Sequence, residues 1–235
     1  MSMENPQQLL LGVKLNDDAT FENFFVSSSN HQLLQFLRAD LAMLPERNLC
    51  LWGSNSVGKT HMLQAMCHTC DATDKPSIYL PMKECLEMGP DILEGLEHLA
   101  LICLDDIDEV LGIPKWEQAL FNLYNRARET GAATLITGNV APKHLSVSLP
   151  DLRSRLQSAM VFQLHSLNDP EKASMIKMRA THMGIELPDS VVDFVLQRSD
   201  RGVSALLDVL HQLDRQSLEL KRRITIPLVK QTMNW

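Results

Sequence analysis

Short apolar runs alternate with longer helical segments along residues 48–164. The runs occupy residues 48–52, 77–80, 99–104, 133–137 and 159–164, and a segment of helical length separates each run from the next. Strands that alternate with helices predict a five-stranded parallel sheet with helices on both faces. Before this region, leucines recur at helical spacing and predict a helix from about Asn30 to Leu44.

The pattern changes after Leu164, where four helical segments follow one another. They occupy residues 168–184, 187–199, 203–222 and 226–235, with Gly184, Pro188 and Gly202 at the breaks. We therefore predict three parts: an N-terminal peptide over residues 1–15, an α/β domain over residues 16–165, and a small all-helical domain over residues 166–235.

Composition and charge narrow the classes of protein. Of 235 residues, 45% are hydrophobic and 22% are charged, as in ordinary globular proteins. The net charge of −7 includes no basic region of the kind that binds nucleic acid, and no apolar run is long enough to span a membrane. We expect a cytoplasmic protein. The five cysteines include Cys67 and Cys70, but no second ligand pair follows at zinc spacing, so free buried thiols are expected.

A complete phosphate-binding motif, G-x-x-x-x-G-K-T, follows the first strand and precedes a helix, which is the context that this motif requires. Its residues are Gly53, Ser54, Asn55, Ser56, Val57, Gly58, Lys59 and Thr60. The loop N–H groups and the helix start would face phosphate oxygens, Lys59 would reach the β- and γ-phosphates, and Thr60 would hold Mg²⁺. The motif predicts ADP or ATP with Mg²⁺ as cofactors.

Further polar residues follow the later strands. Asp105 and Asp106 end the third strand; we expect Asp105 to hold Mg²⁺ and Asp106 to orient or activate the attacking water. Asn139 follows the fourth strand and is either a γ-phosphate or water contact, or a turn residue. Arg153 and Arg155 precede the fifth strand. An arginine at a developing phosphate charge accelerates transfer about 10³–10⁵-fold, whereas the alternative for these two is a solvated helix face.

Together, these segments resemble the DnaA-related AAA+ ATPases. The segment TFENFFVSSSN resembles the entry segment of DnaA, THMLQAM its helix after the phosphate loop, LDDI its Walker B strand, and ITIPLVK the end of its AAA+ lid. The resemblance covers residues 20–235 and implies a P-loop AAA+ sheet followed by a helical lid. DnaA continues into a DNA-binding domain where this sequence stops, so the chain is most similar to the Hda group, which stimulates hydrolysis of ATP bound to DnaA.

The resemblance also assigns roles to residues. Arg155, in SRL, matches the family's arginine finger, which acts in trans on the nucleotide of a neighbouring subunit. The clamp-binding peptide of Hda proteins matches Gln8, Leu9, Leu11 and Val13, which implies the sliding clamp, the β subunit of DNA polymerase III, as a partner. An N-terminal strand or helix start that packs on the protein itself is the alternative for this peptide. The adenine-contacting entry matches Phe25, Val26 and Asn30, although core packing explains these residues equally well.

Two departures from the family concern hydrolysis. Ser204 stands where DnaA has its sensor 2 arginine; Arg201, one turn earlier, is either a substitute or a helix-end cation. Asp106 replaces the glutamate common in AAA+ enzymes. These departures favour slow intrinsic hydrolysis, with nucleotide as a structural cofactor. The expected function is therefore negative regulation of replication initiation, through ATP-bound DnaA and nucleoid association by the clamp, without sequence-specific DNA binding. The alternative is a self-sufficient AAA+ motor similar to a helicase loader. A homodimer is also compatible with the sequence.

Overall fold

A computed structural model describes residues 14–38, 47–200 and 202–235. Five strands, β1 Asn48–Trp52, β2 Ser77–Pro81, β3 Leu101–Asp105, β4 Ala133–Gly138 and β5 Met160–Gln163, form one sheet in the order β2-β3-β4-β1-β5. All neighbouring strands are parallel. The five predicted strands and their parallel arrangement are confirmed.

Helices cover both faces of the sheet. The helices up to β5 are α1 His31–Leu37, α2 Lys59–Asp71, α3 Met82–Cys85, α4 Pro114–Thr130 and α5 Pro150–Ser158. On one face, Ile102 of β3 belongs to the same buried cluster as Trp116 of α4 and Leu152 of α5. The adjacent Cys103 points the opposite way, and its Sγ lies 3.6 Å from the carbonyl oxygen of Leu63 in α2. This alternation is what a strand buried on both faces requires.

The helix predicted from about Asn30 to Leu44 is observed over His31–Leu37, after a short 3₁₀ turn at Ser28–Asn30. Leu33, Leu34 and Leu37 are buried, in agreement with their helical spacing. Residues 39–46 lie outside the described part of the chain, so the last part of this prediction is not tested.

Four further helices follow β5: α6 Asp169–His182, α7 Asp189–Arg198, α8 Val203–Leu220 and α9 Ile226–Met233. Asn168 and Glu171 form a capping box that begins α6. Buried residues from all four helices, among them Met175, Val192, Leu213 and Val229, form one apolar core. The four predicted helices are confirmed.

By contacts, the chain divides into two compact units. One contains the sheet and its helices up to Leu164, and the other contains His165–Trp235 together with Phe25–Ser29 and Asn55–Gly58. The boundaries predicted at residues 15/16 and 165/166 remain a prediction. Among the helices in the described ranges, none combines the length and apolar composition needed to cross a membrane.

Candidate functional site

The phosphate-binding motif follows β1, and α2 begins at its lysine, Lys59. Two loop residues have positive φ: 61° at Ser56 and 104° at Gly58. Glycine adopts this conformation without the steric cost that a Cβ imposes, which explains why the motif has glycine at position 58. The first N–H groups of a helix have no intrahelical partner, so the start of α2 offers donors for an anion.

Lys59 is almost completely buried, at 6% exposure. Its Nζ donates hydrogen bonds to the carbonyl oxygen of Gly53 and to Oδ1 of Asn139, each at 3.0 Å. A carboxylate oxygen of Asp106 lies 3.9 Å away. Because Gly53 follows β1 and Asn139 follows β4, the ammonium group lies at the carboxyl edge of the sheet, where ligands bind in open α/β folds.

Asp105, the last residue of β3, accepts three hydroxyl hydrogen bonds. Thr60 Oγ1 donates to Oδ2 at 2.6 Å, Tyr79 OH donates to the same oxygen at 2.8 Å, and Thr137 Oγ1 donates to Oδ1 at 2.6 Å. Asp105 is only 3% exposed. A carboxylate has about four acceptor positions, and these three donors occupy most of them. The hydrogen bonds offset the cost of burying the negative charge.

Tyr79 remains a protonated donor to this carboxylate. Burial raises the pKa of Tyr79 well above its ordinary range, and the negative charge and hydrogen bond of Asp105 raise it further. Both effects disfavour a second negative charge beside Asp105. The phenol is therefore a fixed part of the hydrogen-bond network around the last residue of β3.

Asp106 differs from its neighbour in both backbone and exposure. Its backbone is left-handed, with φ 52° and ψ 59°, and its N–H donates to Thr137 Oγ1 at 2.7 Å. Its side chain is 43% exposed. Burial and the charge of Asp105 raise its pKa, while Lys59 opposes the shift. A non-glycine residue in this conformation is strained, and such strain is concentrated at functional sites.

Asp108 fixes the segment that contains Asn139. The Asn139 N–H donates to Asp108 Oδ2 at 2.8 Å. A Cβ at Gly138 would lie 3.3 Å from the same oxygen, so the small residue permits this close approach. The arrangement directs the Asn139 amide oxygen to Lys59.

The oxygen donors at this edge fit a magnesium ion. Thr60 and Asp105 provide a hydroxyl and a carboxylate in direct contact, and oxygen ligands of this kind are those that Mg²⁺ prefers.

Within the described ranges, no group of three or more His, Cys, Asp or Glu side chains could hold a metal ion. Cys67 and Cys70 are buried free thiols, as predicted, and so are the other three cysteines.

Arg155 occupies a different part of the molecule. It lines a cavity of about 450 Å³ together with Arg47, Asn48, Tyr124 and Arg128. Its guanidinium carbon lies 5.9 Å from the centre of the Tyr124 ring, within cation–π range. Arg153 instead donates to the carbonyl oxygen of Val147.

The two regions lie at opposite edges of the sheet. The cavity around Arg155 includes Asn48, the first residue of β1, whereas Lys59 contacts Gly53, which follows the last residue of β1. A strand rises about 3.3 Å per residue, so the five residues of β1 separate these edges by about 15 Å. Arg155 therefore does not lie beside the phosphate loop of its own chain.

The remaining predicted residues have varied environments. Phe25 packs against the apolar core of α6–α9, Val26 is 37% exposed, and Asn30 is buried. Ser204 is exposed in the first turn of α8. The predicted clamp-binding residues and Arg201 lie outside the described residues.

Three residues with structural roles at this site were not identified from the sequence: Tyr79, Thr137 and Asp108. Leu104 pairs with Ile136 in the β3–β4 register, so the next residue of each strand, Asp105 and Thr137, lie opposite each other. Tyr79 pairs with Cys103 and therefore lies diagonally across from Asp105 on the neighbouring strand. Strand register would have identified both residues, but the sequence pattern does not provide it.

Comparisons with known proteins agree with this architecture. Residues 169–233 match the family model for the Hda lid domain. Domain III of the Thermotoga maritima replication initiation protein DnaA superposes with a TM-score of 0.78 at 21% identity, covering 94% of this chain and 98% of the other. AMPPCP-bound DnaA from Aquifex aeolicus gives 0.72 at 21% identity, covering 87% and 68%.

A further match is the RuvB Holliday junction branch migration motor of Thermotoga maritima, with a TM-score of 0.68 at 17% identity, covering 92% of this chain and 71% of the other. At these identities the solved structures show a shared fold. The predicted AAA+ fold with a helical lid is confirmed, and the match over residues 169–233 supports the predicted relation to Hda.

Proposed function

We propose that this chain, an AAA+ protein related to Hda and DnaA, negatively regulates replication initiation by supplying Arg155 to ATP bound to DnaA. The main support is the location of Arg155. Arg155 lines a cavity at the amino edge of the sheet, whereas the phosphate loop of the same chain lies at the carboxyl edge. An arginine so placed is remote from its own nucleotide site and is free to act in trans, on a nucleotide that another subunit presents.

The phosphate loop would bind ADP or ATP. The buried Lys59 ammonium would contact the β- and γ-phosphates, and the hydroxyl of Thr60 and the carboxylate of Asp105 would hold Mg²⁺. When bound, Mg²⁺ neutralises phosphate charge. A DnaA structure with the same fold is bound to AMPPCP, which supports nucleotide binding by this chain.

Slow hydrolysis by the chain itself follows from its own residues. Asp106 has a shorter side chain than glutamate, and its carboxylate oxygen lies 3.9 Å from Lys59 Nζ. Its left-handed backbone restricts the directions in which that side chain points. Ser204 offers a hydroxyl where a sensor 2 arginine would offer a positive charge. The bound nucleotide then acts mainly as a structural cofactor that stabilises the fold.

Residues 1–15 would tether the chain to the DNA-loaded sliding clamp through Gln8, Leu9, Leu11 and Val13. A glutamine followed by aliphatic side chains is typical of peptides that bind a hydrophobic pocket on another protein. Tethering raises the local concentration of Arg155 near DnaA, so a weak encounter becomes effective without any new contact.

The test measures hydrolysis of DnaA-bound ATP with DNA-loaded clamp present. We expect Arg155→Ala to abolish stimulation while clamp binding is retained, and Gln8→Ala to weaken clamp binding while Arg155 remains intact. Gln157→Ala is the control, because this exposed residue of the same helix does not line the cavity. Normal stimulation by Arg155→Ala refutes the proposal.

The intact phosphate loop with Asp106 beside Lys59 supports a second candidate, a self-sufficient ATPase motor. Rapid ATP turnover by the purified chain without clamp or DnaA, abolished by Lys59→Ala, is the result that favours it. Slow turnover that is insensitive to added clamp favours the regulatory role.

A further inference from the structure

Glu117 lies in the first turn of α4 and is 1% exposed. Its carboxylate accepts hydrogen bonds from the N–H of Gly112 at 2.8 Å, of Ser148 at 2.9 and 3.1 Å, and of Leu149 at 2.7 Å. One buried carboxylate thus binds backbone groups from two segments that are distant in sequence.

The charge on Glu117 is maintained by these donors. Burial alone would raise its pKa, but the N–H donors of Ser148, Gly112 and Leu149 lower it below the ordinary value, and the positive charge of Arg153 contributes in the same direction. Hydrogen bonds to an ionised acceptor are stronger than neutral ones. Glu117 therefore remains an acceptor-only group at neutral pH.

These bonds fix the start of α5, the helix that contains Arg155. Leu149, the N-cap of α5, offers no side-chain cap, and Pro150 follows it. Glu117 supplies from α4 an acceptor for the Leu149 N–H, which is the role that a glutamate at the third helical position plays in a capping box. Arg153 strengthens the same turn, because its guanidinium donates to the carbonyl oxygen of Val147.

Glu117 and Tyr124 contact α5 at two places, its start and the turn that contains Arg155, from one face of α4. They are seven residues apart, which is two helical turns, so they project from the same side. Glu117 binds the N–H of Leu149, and the Tyr124 ring lies beside the guanidinium of Arg155. The position of Arg155 is therefore determined at two points along α4.

We infer that Glu117 is a positioning residue for Arg155, and that it acts by fixing α5 in the orientation that presents the guanidinium to a partner's phosphate. This inference rests on the proposed function. Misplacement of a catalytic group by 1 Å can cost about 100-fold in rate, so a displaced α5 reduces stimulation even though Arg155 is still present.

The test uses Glu117→Gln, which keeps the size of the side chain but directs an NH₂ group toward N–H donors. We expect the maximal stimulated rate of DnaA-bound ATP hydrolysis to fall at least about tenfold, while the concentration for half-maximal stimulation stays unchanged. Glu97→Gln is the matched control. That carboxylate is also largely buried, but its ion pair is with Arg126 of α4, at 2.9 Å, rather than with the start of α5.

Nucleotide binding separates positioning from a general loss of stability. If Glu117 acts through Arg155, Glu117→Gln lowers the stimulated rate but binds nucleotide as tightly as the wild type does. Full stimulation by Glu117→Gln overturns the inference. Full stimulation by Arg155→Ala instead refutes the proposed function, and the role of Glu117 with it.

Should Glu117→Gln fail to bind nucleotide, which would indicate a folding defect, Glu117→Asp replaces it. The aspartate keeps the charge and shortens the reach by one methylene, so we expect partial stimulation and faster amide hydrogen exchange at Ser148 and Leu149. Unchanged exchange at these two amides together with normal stimulation contradicts the inference.

Discussion

Tyr79→Phe is the substitution that tests the network around Asp105 most directly. Phenylalanine has nearly the same shape as tyrosine but lacks the hydroxyl that donates to Asp105 at 2.8 Å. A hydrogen bond to a charged group contributes about 1.5–3 kcal/mol. We expect the free energy of unfolding at neutral pH to fall by about that amount, because Asp105 keeps only its two threonine donors.

The pH dependence gives a sharper expectation. The pKa of Tyr79 is raised in the folded protein, whereas an unfolded tyrosine titrates near about pH 10. Above that pH the unfolded chain loses a proton that the folded chain retains, so the stability supplied by Tyr79 is present at lower pH and lost as the pH rises. One retained proton corresponds to about 1.4 kcal/mol per pH unit.

The assay compares urea unfolding of the wild type and of Tyr79→Phe from neutral pH to about pH 11. The difference between the two stabilities should shrink by about 1.4 kcal/mol per unit above about pH 10, so the curves converge within about one to two units. Titrating lysines and cysteines affect both proteins equally and cancel in the difference. A constant difference across this range refutes the reasoning.

An independent measurement uses Tyr124→Phe, which leaves Tyr79 as the single tyrosine of the 235 residues. In the folded variant we expect no tyrosinate absorbance at about pH 11, and its appearance on unfolding in urea at the same pH. Ionisation of the folded variant near about pH 10 would show that Asp105 and burial do not hold the proton.

Two further predictions concern stability and thiol reactivity. Gly131→Ala should lower the free energy of unfolding by about 1–2 kcal/mol, because Gly131 follows α4 at φ 79° and an added Cβ would lie 3.1 Å from Arg47 Nη1. Gly112→Ala is the control for the backbone cost alone, because Gly112 has φ 84° and open space around an added Cβ. Equal losses in the two variants would exclude a contribution from the arginine contact. All five cysteines are buried, and burial raises the pKa of Cys50 to about 12 and of Cys85 to about 11, so a thiol reagent should label none of them rapidly in the folded protein and all five in urea. Rapid labelling of a folded-state thiol would contradict this burial.

The elements of the fold were predictable because each has a distinct periodicity. Strand β3, for example, is a continuous apolar run that ends at Asp105, and α8 repeats its apolar residues at helical spacing. The phosphate loop was predictable for another reason: its residues are adjacent in sequence, so the motif contains its own geometry.

The supporting contacts were not predictable because they join residues that are far apart in sequence. Tyr79 reaches Asp105 across 26 positions and Glu117 reaches Ser148 across 31. Such contacts depend on the strand order and on the packing of α4 against α5, which periodicity does not specify. The left-handed backbone of Asp106 is similar, since no glycine at that position indicates it.

The placement of Lys59 and Arg155 at opposite edges of one sheet gives the molecule a direction. A contact that joins the arginine edge of one molecule to the nucleotide edge of another is heterologous, because the two surfaces differ. Any row of AAA+ subunits that includes this chain therefore exposes an arginine edge at one end and a nucleotide edge at the other. A molecule that contacts its neighbour through its arginine edge leaves its nucleotide edge available to a further subunit.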